Sequence, residues 1–222
     1  MKIYRLPEAA SVLIFDIDST LYTCPQYAQE QVESQLRCFS NFKKLPLENV
    51  KALFLDFRKQ WAKSHDGQQL SLGNLLTHFG ISIEQSIQWR KEFINPAAFL
   101  KADSRLFDTL SMLKKRFYLL CVTNNPVFTA RRTLEVLSVS SLVPKIIGLD
   151  STFKSKPHRE IFELAVKTAS ENLGQKVNFC QCISIGDRYD VDLALPLELG
   201  MGGILVDGVE DIYRLPEILQ AG

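Results

Sequence analysis

The sequence predicts an α/β fold, a parallel sheet flanked by helices and interrupted just after its first strand by an inserted helical subdomain. Two observations predict it. Runs rich in β-branched and aromatic residues alternate with segments of helical period, as crossover connections between parallel strands require. The stretch from about Pro25 to Pro96, by contrast, contains no convincing strand and reads as four helical segments.

Taken in order, the first strand is Ser11–Asp16. In the second helical segment of the insert, Val50, Leu53, Phe54, Phe57 and Trp61 recur at positions that share one apolar face. Leu72, Leu75, Leu76 and Phe79 do the same in the third, which Gly80 closes. The insert is bounded at residues 23–96, leaving 1–22 and 97–222 as the core domain; a long decoration packed on the sheet is the alternative. Asp103–Lys115 reads as a helix with Leu106, Leu110 and Leu113 on one stripe, and it feeds the strand Phe117–Thr123. The helix Val127–Leu137 follows, with Asn125 as N-cap and Pro126 at the first helical position. Next come the strand Pro144–Leu149, the helix Pro157–Ser170 and the strand Cys180–Ile185. A helix at Val191–Leu199, ended by Gly200, and the strand Gly203–Val206 complete the pattern.

Composition narrows the function classes. With 222 residues, 46% hydrophobic and 23% charged, the chain has enough apolar surface to exclude disorder over most of its length. Twenty-six Lys+Arg against 25 Asp+Glu gives a net charge of +1, so no global field draws nucleic acid or an anionic membrane, although a local patch is compatible with that sum. The longest apolar runs, such as Leu119–Val122 and Ile204–Val206, are far short of a bilayer span. Met1–Arg5 leads into Pro7 and Glu8 without an apolar stretch, so no secretory signal is expected. Five cysteines with no C-x-x-C spacing support neither a zinc knuckle nor a disulfide scaffold, and Cys121, Cys180 and Cys182 read as small buried hydrophobes. A reduced, cytoplasmic protein is expected. The pentapeptide Tyr-Arg-Leu-Pro-Glu occurs at Tyr4–Glu8 and again at Tyr213–Glu217, which reads as coincidence rather than repeat.

The chemistry starts at the carboxyl end of the first strand. Val12–Phe15 delivers Asp16 and Asp18, whose side chains lean to one side if the chain stays extended. Ligands of open α/β sheets bind at that edge; the competing reading is one carboxylate capping a turn and the other solvated. Thr123-Asn124-Asn125 ends the second strand beside a helix start, where a hydroxyl and backbone N–H groups suit an anion. Lys156 opens the helix after the third strand. Gly186-Asp187, followed by Asp190 and Asp192, ends the fourth. Clustered carboxylates stay ionised together only if a cation relieves their repulsion, and the hard, oxygen-liganded divalent ion suited to the task is Mg²⁺. Together with a lysine and helix-end N–H groups it describes a site for a phosphoryl group. An Asp beside the metal is a competent nucleophile for an aspartyl phosphate.

Asp16-Ile17-Asp18-Ser19-Thr20, Thr123, Lys156 and Gly186-Asp187 with Asp192 resemble the four motifs of the haloacid dehalogenase superfamily, over Ser11–Thr20 and about Asp103–Val206. The resemblance implies a Rossmann-like core, and the helical insert is similar to the cap of the C1 subclass. The run through Leu21-Tyr22, and Lys156-Pro157-His158 with Phe162-Glu163, is similar to the pyrimidine 5′-nucleotidase-like and phosphoglycolate phosphatase-like branches. Ser19 departs from the Asn or Gly more usual there. The implied roles follow position by position. Asp16 is nucleophile and Mg²⁺ ligand. Asp18 is general acid and then base, with its carbonyl on the metal. Thr123 and the Asn124 backbone bind phosphate. Lys156 binds phosphate and steadies Asp16, and Asp187 is the third metal ligand. Asp192 supports from behind, with Asp190 its competitor.

Carbon–halogen cleavage needs no proton for its leaving group, so the acid at Asp18 points to phosphate esters. The function implied is Mg²⁺-dependent hydrolysis of a phosphomonoester of a small metabolite: a nucleoside monophosphate, phosphoglycolate or a sugar phosphate. A phosphomutase on the same core and a receiver-like phospho-switch are the alternatives. A dinucleotide site lacks its Gly-rich turn. No nucleic acid or membrane partner is expected, and the protein is expected to be a monomer or homodimer. The cap is expected to select the substrate, with Tyr22, Tyr27, Trp61, His65, His78 and Trp89 candidates in type only. His65, in the polar run Ser64–Gly67, reads as solvent-exposed, as does His158 at a helix start.

Overall fold

Short apolar runs pair where they can bury both faces, and the longest-buried of them sits mid-sheet. The computed structural model, which describes residues 1–65 and 70–220, contains one six-stranded sheet among those residues. Its strands are β1 (Lys2–Arg5), β2 (Val12–Phe15), β3 (Tyr118–Val122), β4 (Lys145–Ile147), β5 (Cys182–Gly186) and β6 (Gly202–Leu205), in the spatial order β1-β6-β5-β2-β3-β4. The last five run parallel. All four residues of β2 are buried, between β5 on one side and β3 on the other.

The strand β1 is a correction to the sequence reading. It pairs antiparallel with β6 through a bulge between Ile3 and Arg5, so the sheet is mixed rather than wholly parallel. Its four residues are all exposed. An edge strand that buries no face carries no apolar alternation to read.

The chain divides into two compact units, Met1–Pro25 with Pro96–Gly222, and Gln26–Asn95. The second is built from α1 (Pro25–Lys43), α2 (Leu47–Ser64), α3 (Leu72–His78) and α4 (Ile83–Phe93). Its core gathers Leu36, Phe39, Val50, Phe54, Leu75, Leu76, Ile81 and Trp89. Phe54 stacks on Phe79 at 5.2 Å and meets Phe39 at 4.9 Å. Leu53, expected on the buried face of α2, is 39% exposed, because it lies ~60° around the axis from Val50, at the margin of the stripe. Gly80 adopts φ +79° after α3, a conformation that disfavours a side chain. His65 is not solvated as expected. It is half-buried, with its ring stacked on Trp61 at 3.7 Å. Asp66 and Gly67 of the same run lie outside the described residues.

In the first unit, Asp103 caps α5 (Ser104–Lys114) by accepting the Leu106 N–H at 2.9 Å. The next helix, α6 (Val127–Val136), starts at the expected residue but not with the expected cap. Pro126 holds the cap position, and Asp150, in α7 (Leu149–Thr152), accepts the Val127 N–H at 2.8 Å. Asn125 is thereby released from capping. His158 caps α8 (Arg159–Leu173) and stays exposed. Where a single helix Val191–Leu199 was expected, a π-helical turn, Tyr189–Leu193, precedes α9 (Ala194–Glu198). The short helices α10 (Val209–Ile212) and α11 (Leu215–Gln220) close the chain. The two copies of Tyr-Arg-Leu-Pro-Glu share no structure, one leaving β1 and the other joining α10 to α11. Cys180 is exposed rather than buried, since the strand begins two residues later and Phe179–Gln181 forms a turn. On one sheet face Val12, Ile14, Leu120 and Val122 pack against Ile161, Phe162, Ala165 and Ala169 of α8. No helix among the described residues is long and apolar enough to cross a membrane.

Candidate active site

Four parallel strands end on the same edge; β2, β3 and β5 each run directly into a motif segment, whereas β4 is followed by α7 and then the loop that carries Lys156. Asp16 follows β2, and its N–H donates to Ile185 O of β5 at 2.8 Å. Thr123 follows β3, tied by its N–H to Ile147 O of β4 at 2.9 Å. Lys156 lies in the loop before α8, its N–H donating to Asn124 Oδ1 at 2.7 Å. Asp187 follows β5. Backbone bonds to neighbouring strands thus fix the Asp16 and Thr123 segments, and the Asn124 side chain fixes the backbone at Lys156.

The side chains converge on Lys156. Its ammonium donates to Asp16 Oδ1 at 2.6 Å, to Asp192 Oδ1 at 2.7 Å and to Val122 O at 2.9 Å. All three N–H donors are thereby used. The carboxylates of Asp16, Asp187 and Asp192 each offer an oxygen within 4.8 Å of the others. Asp192 is buried and Asp190 exposed. The second Asp192 oxygen accepts the Arg188 N–H at 3.1 Å, and Ser184 Oγ donates to the Asp192 carbonyl at 2.7 Å. Thr123 Oγ1 accepts the Asn125 N–H at 3.1 Å. Asp18 stands outside the three-carboxylate group. Tyr22 donates to its Oδ1 at 2.5 Å and Asn125 Nδ2 to its Oδ2 at 2.8 Å.

The electrostatics follow from burial. Burial, then the neighbouring Asp192 and Asp18, raise the Asp16 pKa to about 7 against the opposing pull of Lys156. Burial and Asp192 raise that of Asp187. Burial opposes the charge on Lys156, yet Asp16 and Asp192 outweigh it and hold its pKa above the ordinary value. One ammonium therefore does not offset the negative charge gathered here. A hard divalent cation fits this set of oxygen donors.

Three residues make contacts here that the sequence reading did not assign. Asn125 was read as a helix cap, and its side chain reaches Asp18, 107 residues away. Tyr22, a candidate in type only for substrate selection, donates instead to Asp18; its position four residues later, on a chain that turns back there, is the available signal. Arg188 is the third, a half-exposed guanidinium 3.9 Å from Asp187, raised in pKa by Asp192, Asp16, Asp187 and Asp190 against the opposing effect of desolvation.

A family model described as haloacid dehalogenase-like hydrolase matches residues 10–197. No curated protein matches the chain. Among solved structures, a HAD phosphatase from Thermococcus onnurineus is similar at a TM-score of 0.59 and 18% identity, with 94% of this chain and 97% of that one covered. A 2-haloacid dehalogenase from Pseudomonas syringae pv. Tomato DC3000 is similar at 0.58 and 17%, covering 96% and 99%. A structure described as a predicted phosphoglycolate phosphatase from Haemophilus somnus 129pt is similar at 0.58 and 16%, again covering 96% and 99%. At these identities the likeness is one of fold.

Proposed function

The chain belongs to the haloacid dehalogenase-like hydrolases, and within that family we propose that it is a Mg²⁺-dependent phosphatase acting on a phosphomonoester of a small metabolite. The observation that carries the reading is the group of Asp16, Asp187 and Asp192, with buried Lys156 bonded to the first and last of them and a further carboxylate, Asp18, held beside it by its own donors. The fold neighbours include both phosphatases and a dehalogenase, and Asp18 favours the former. An expelled halide needs no proton, whereas an ester oxygen does.

In this reading Asp16 and Asp187, with the Asp18 carbonyl, hold Mg²⁺. Both Asp192 oxygens are engaged by donors, which suits a supporting role. The ion, when bound, supplies Lewis-acid stabilisation of the charge on the transferring group. Thr123, whose oxygen already accepts a bond and whose hydroxyl proton is available to donate, binds a phosphoryl oxygen with the Asn124 backbone, while the charge of Lys156, its three donors engaged, offsets that of the transferring group. Asp16 attacks phosphorus, the ester P–O bond breaks, and Asp18 gives its proton to the leaving oxygen. Water then attacks the aspartyl phosphate, its proton passes to Asp18, and phosphate leaves with Asp16 restored. The helical unit, Gln26–Asn95, is assigned to substrate choice.

Release of inorganic phosphate from nucleoside monophosphates, phosphoglycolate, sugar phosphates and p-nitrophenyl phosphate tests the reading. Turnover should require Mg²⁺, vanish in EDTA and vanish in Asp16→Asn with the fold retained. Fluoroberyllate should be trapped on Asp16. Full activity without metal, or trapping on Asp187, would overturn it, and phosphoryl transfer to a second hydroxyl without phosphate release would make the protein a mutase.

A further inference from the structure

Neither Tyr22 nor Asn125 has a part in the chemistry above, yet each donates to a different oxygen of Asp18. We propose that they are positioning residues for Asp18, fixing the direction of its carboxylate for proton transfer and keeping it apart from the metal-binding carboxylates. The inference rests on the acid–base role given to Asp18.

The geometry carries it. An unrestrained aspartate samples three χ1 wells and a broad χ2. Two donors at 2.5 and 2.8 Å, one on each oxygen, leave neither torsion free. To the carboxylate form both bonds are charge-assisted, and so stronger than neutral ones. Both donors are themselves anchored. Tyr22 is 3% exposed and Asn125 6%. Asn125 donates its N–H to Thr123 Oγ1 at 3.1 Å, and its carbonyl accepts the Leu149 N–H at 2.9 Å, so its amide is aimed by backbone bonds on either side. The Thr123 that binds phosphate and the Asn125 that holds the acid thus share one tight turn after β3.

The two donors differ in what they can follow. An amide NH₂ only donates, whereas a phenol hydroxyl donates or accepts. In the first half-reaction the Asp18 O–H bond breaks as its proton goes to the bridging oxygen; in the second, Asp18 takes a proton from water. Tyr22 keeps its contact with either form of the carboxyl group by turning its hydroxyl. Asn125 holds the other oxygen in place throughout.

The test is single-turnover kinetics with Mg²⁺-loaded enzyme in excess, following release of the phenol from phenyl phosphate and p-nitrophenyl phosphate. These esters differ little in shape, but only the first has a leaving group that depends on a proton. Wild type is compared with Tyr22→Phe, Asn125→Ala and Asp18→Asn. Loss of general-acid catalysis is typically worth about 10²–10⁴ in rate, which sets the expected ceiling for Asp18→Asn. Tyr22→Phe and Asn125→Ala should lose on the order of tenfold on phenyl phosphate, within that ceiling, and less than about twofold on p-nitrophenyl phosphate. A structural role would slow both esters alike. Equal loss on the two esters in both variants, or no loss in either, overturns the proposal. Wild type without a Mg²⁺-dependent turnover, or undiminished turnover in Asp16→Asn, instead overturns the phosphatase reading beneath it.

Discussion

Lys156 shows how much a single buried residue organises. Its side chain is 2% exposed, and its partners Asp16 and Asp192 are 5% and 2% exposed. Removing one member of a buried ion pair costs about 3–5 kcal/mol, because the remaining charge is stranded. Lys156→Met should therefore lose stability by about that amount in metal-free urea unfolding. Adding Asp16→Asn to that variant should restore part of the loss, since the amide removes one stranded charge. A double-mutant cycle measures this coupling directly. A loss below about 1 kcal/mol in Lys156→Met would show that the pairs are not the buried electrostatic unit described here.

Between β5 and α9, the π-helical turn Tyr189–Leu193 swings Asp192 back over the strand end. Such turns are rare and concentrate at functional sites. Gly186 makes the return possible. A Cβ there would stand 2.5 Å from Asp192 Cβ and 2.6 Å from its Oδ2, far inside van der Waals contact. Gly186→Ala should force the turn outward and carry Asp192 away from Lys156. The cost of such overpacking is about 1–3 kcal/mol in stability. Hydrolysis should fall at least tenfold, roughly the effect of losing one positioning contact. A crystal structure of the variant with Asp192 still on Lys156, and full activity, would contradict the constraint.

For the whole molecule, the acidic group is a source of stress in the metal-free state that ligand binding relieves. An ion bound only by the folded chain stabilises it by RT ln(1 + [L]/Kd), about 2.7 kcal/mol at roughly a hundred times Kd. For a chain of 222 residues that is about 5–10 °C in Tm. Mg²⁺ should raise the Tm of the wild-type protein by that order, and EDTA should reverse it. In Asp187→Asn the rise should shrink or vanish, while the metal-free Tm should not fall, because one of the mutually repelling carboxylates is gone. Equal Mg²⁺ stabilisation of both proteins would place the ion elsewhere.

The alternation of strands and helices, the helical character of the insert, the strand ends that carry Asp16, Thr123 and Asp187 and the loop that carries Lys156 are all legible in the sequence. Those features are local: apolar period, caps and Gly or Pro stops act within a few residues, so a reader of the sequence sees the same forces the chain does. The family motifs were legible for the same reason. Which side chains meet is settled by the packing of distant segments. Lys156 reaches Asp16 across 140 residues and Asp192 across 36, and Asn125 reaches Asp18 across 107. The antiparallel edge strand Lys2–Arg5, the exposure of Cys180 and the stacking of His65 on Trp61 belong to the same class. Each depends on sheet register and on the path of a connecting turn. Those are set by the packing energy of the whole domain, and no short window of sequence contains it.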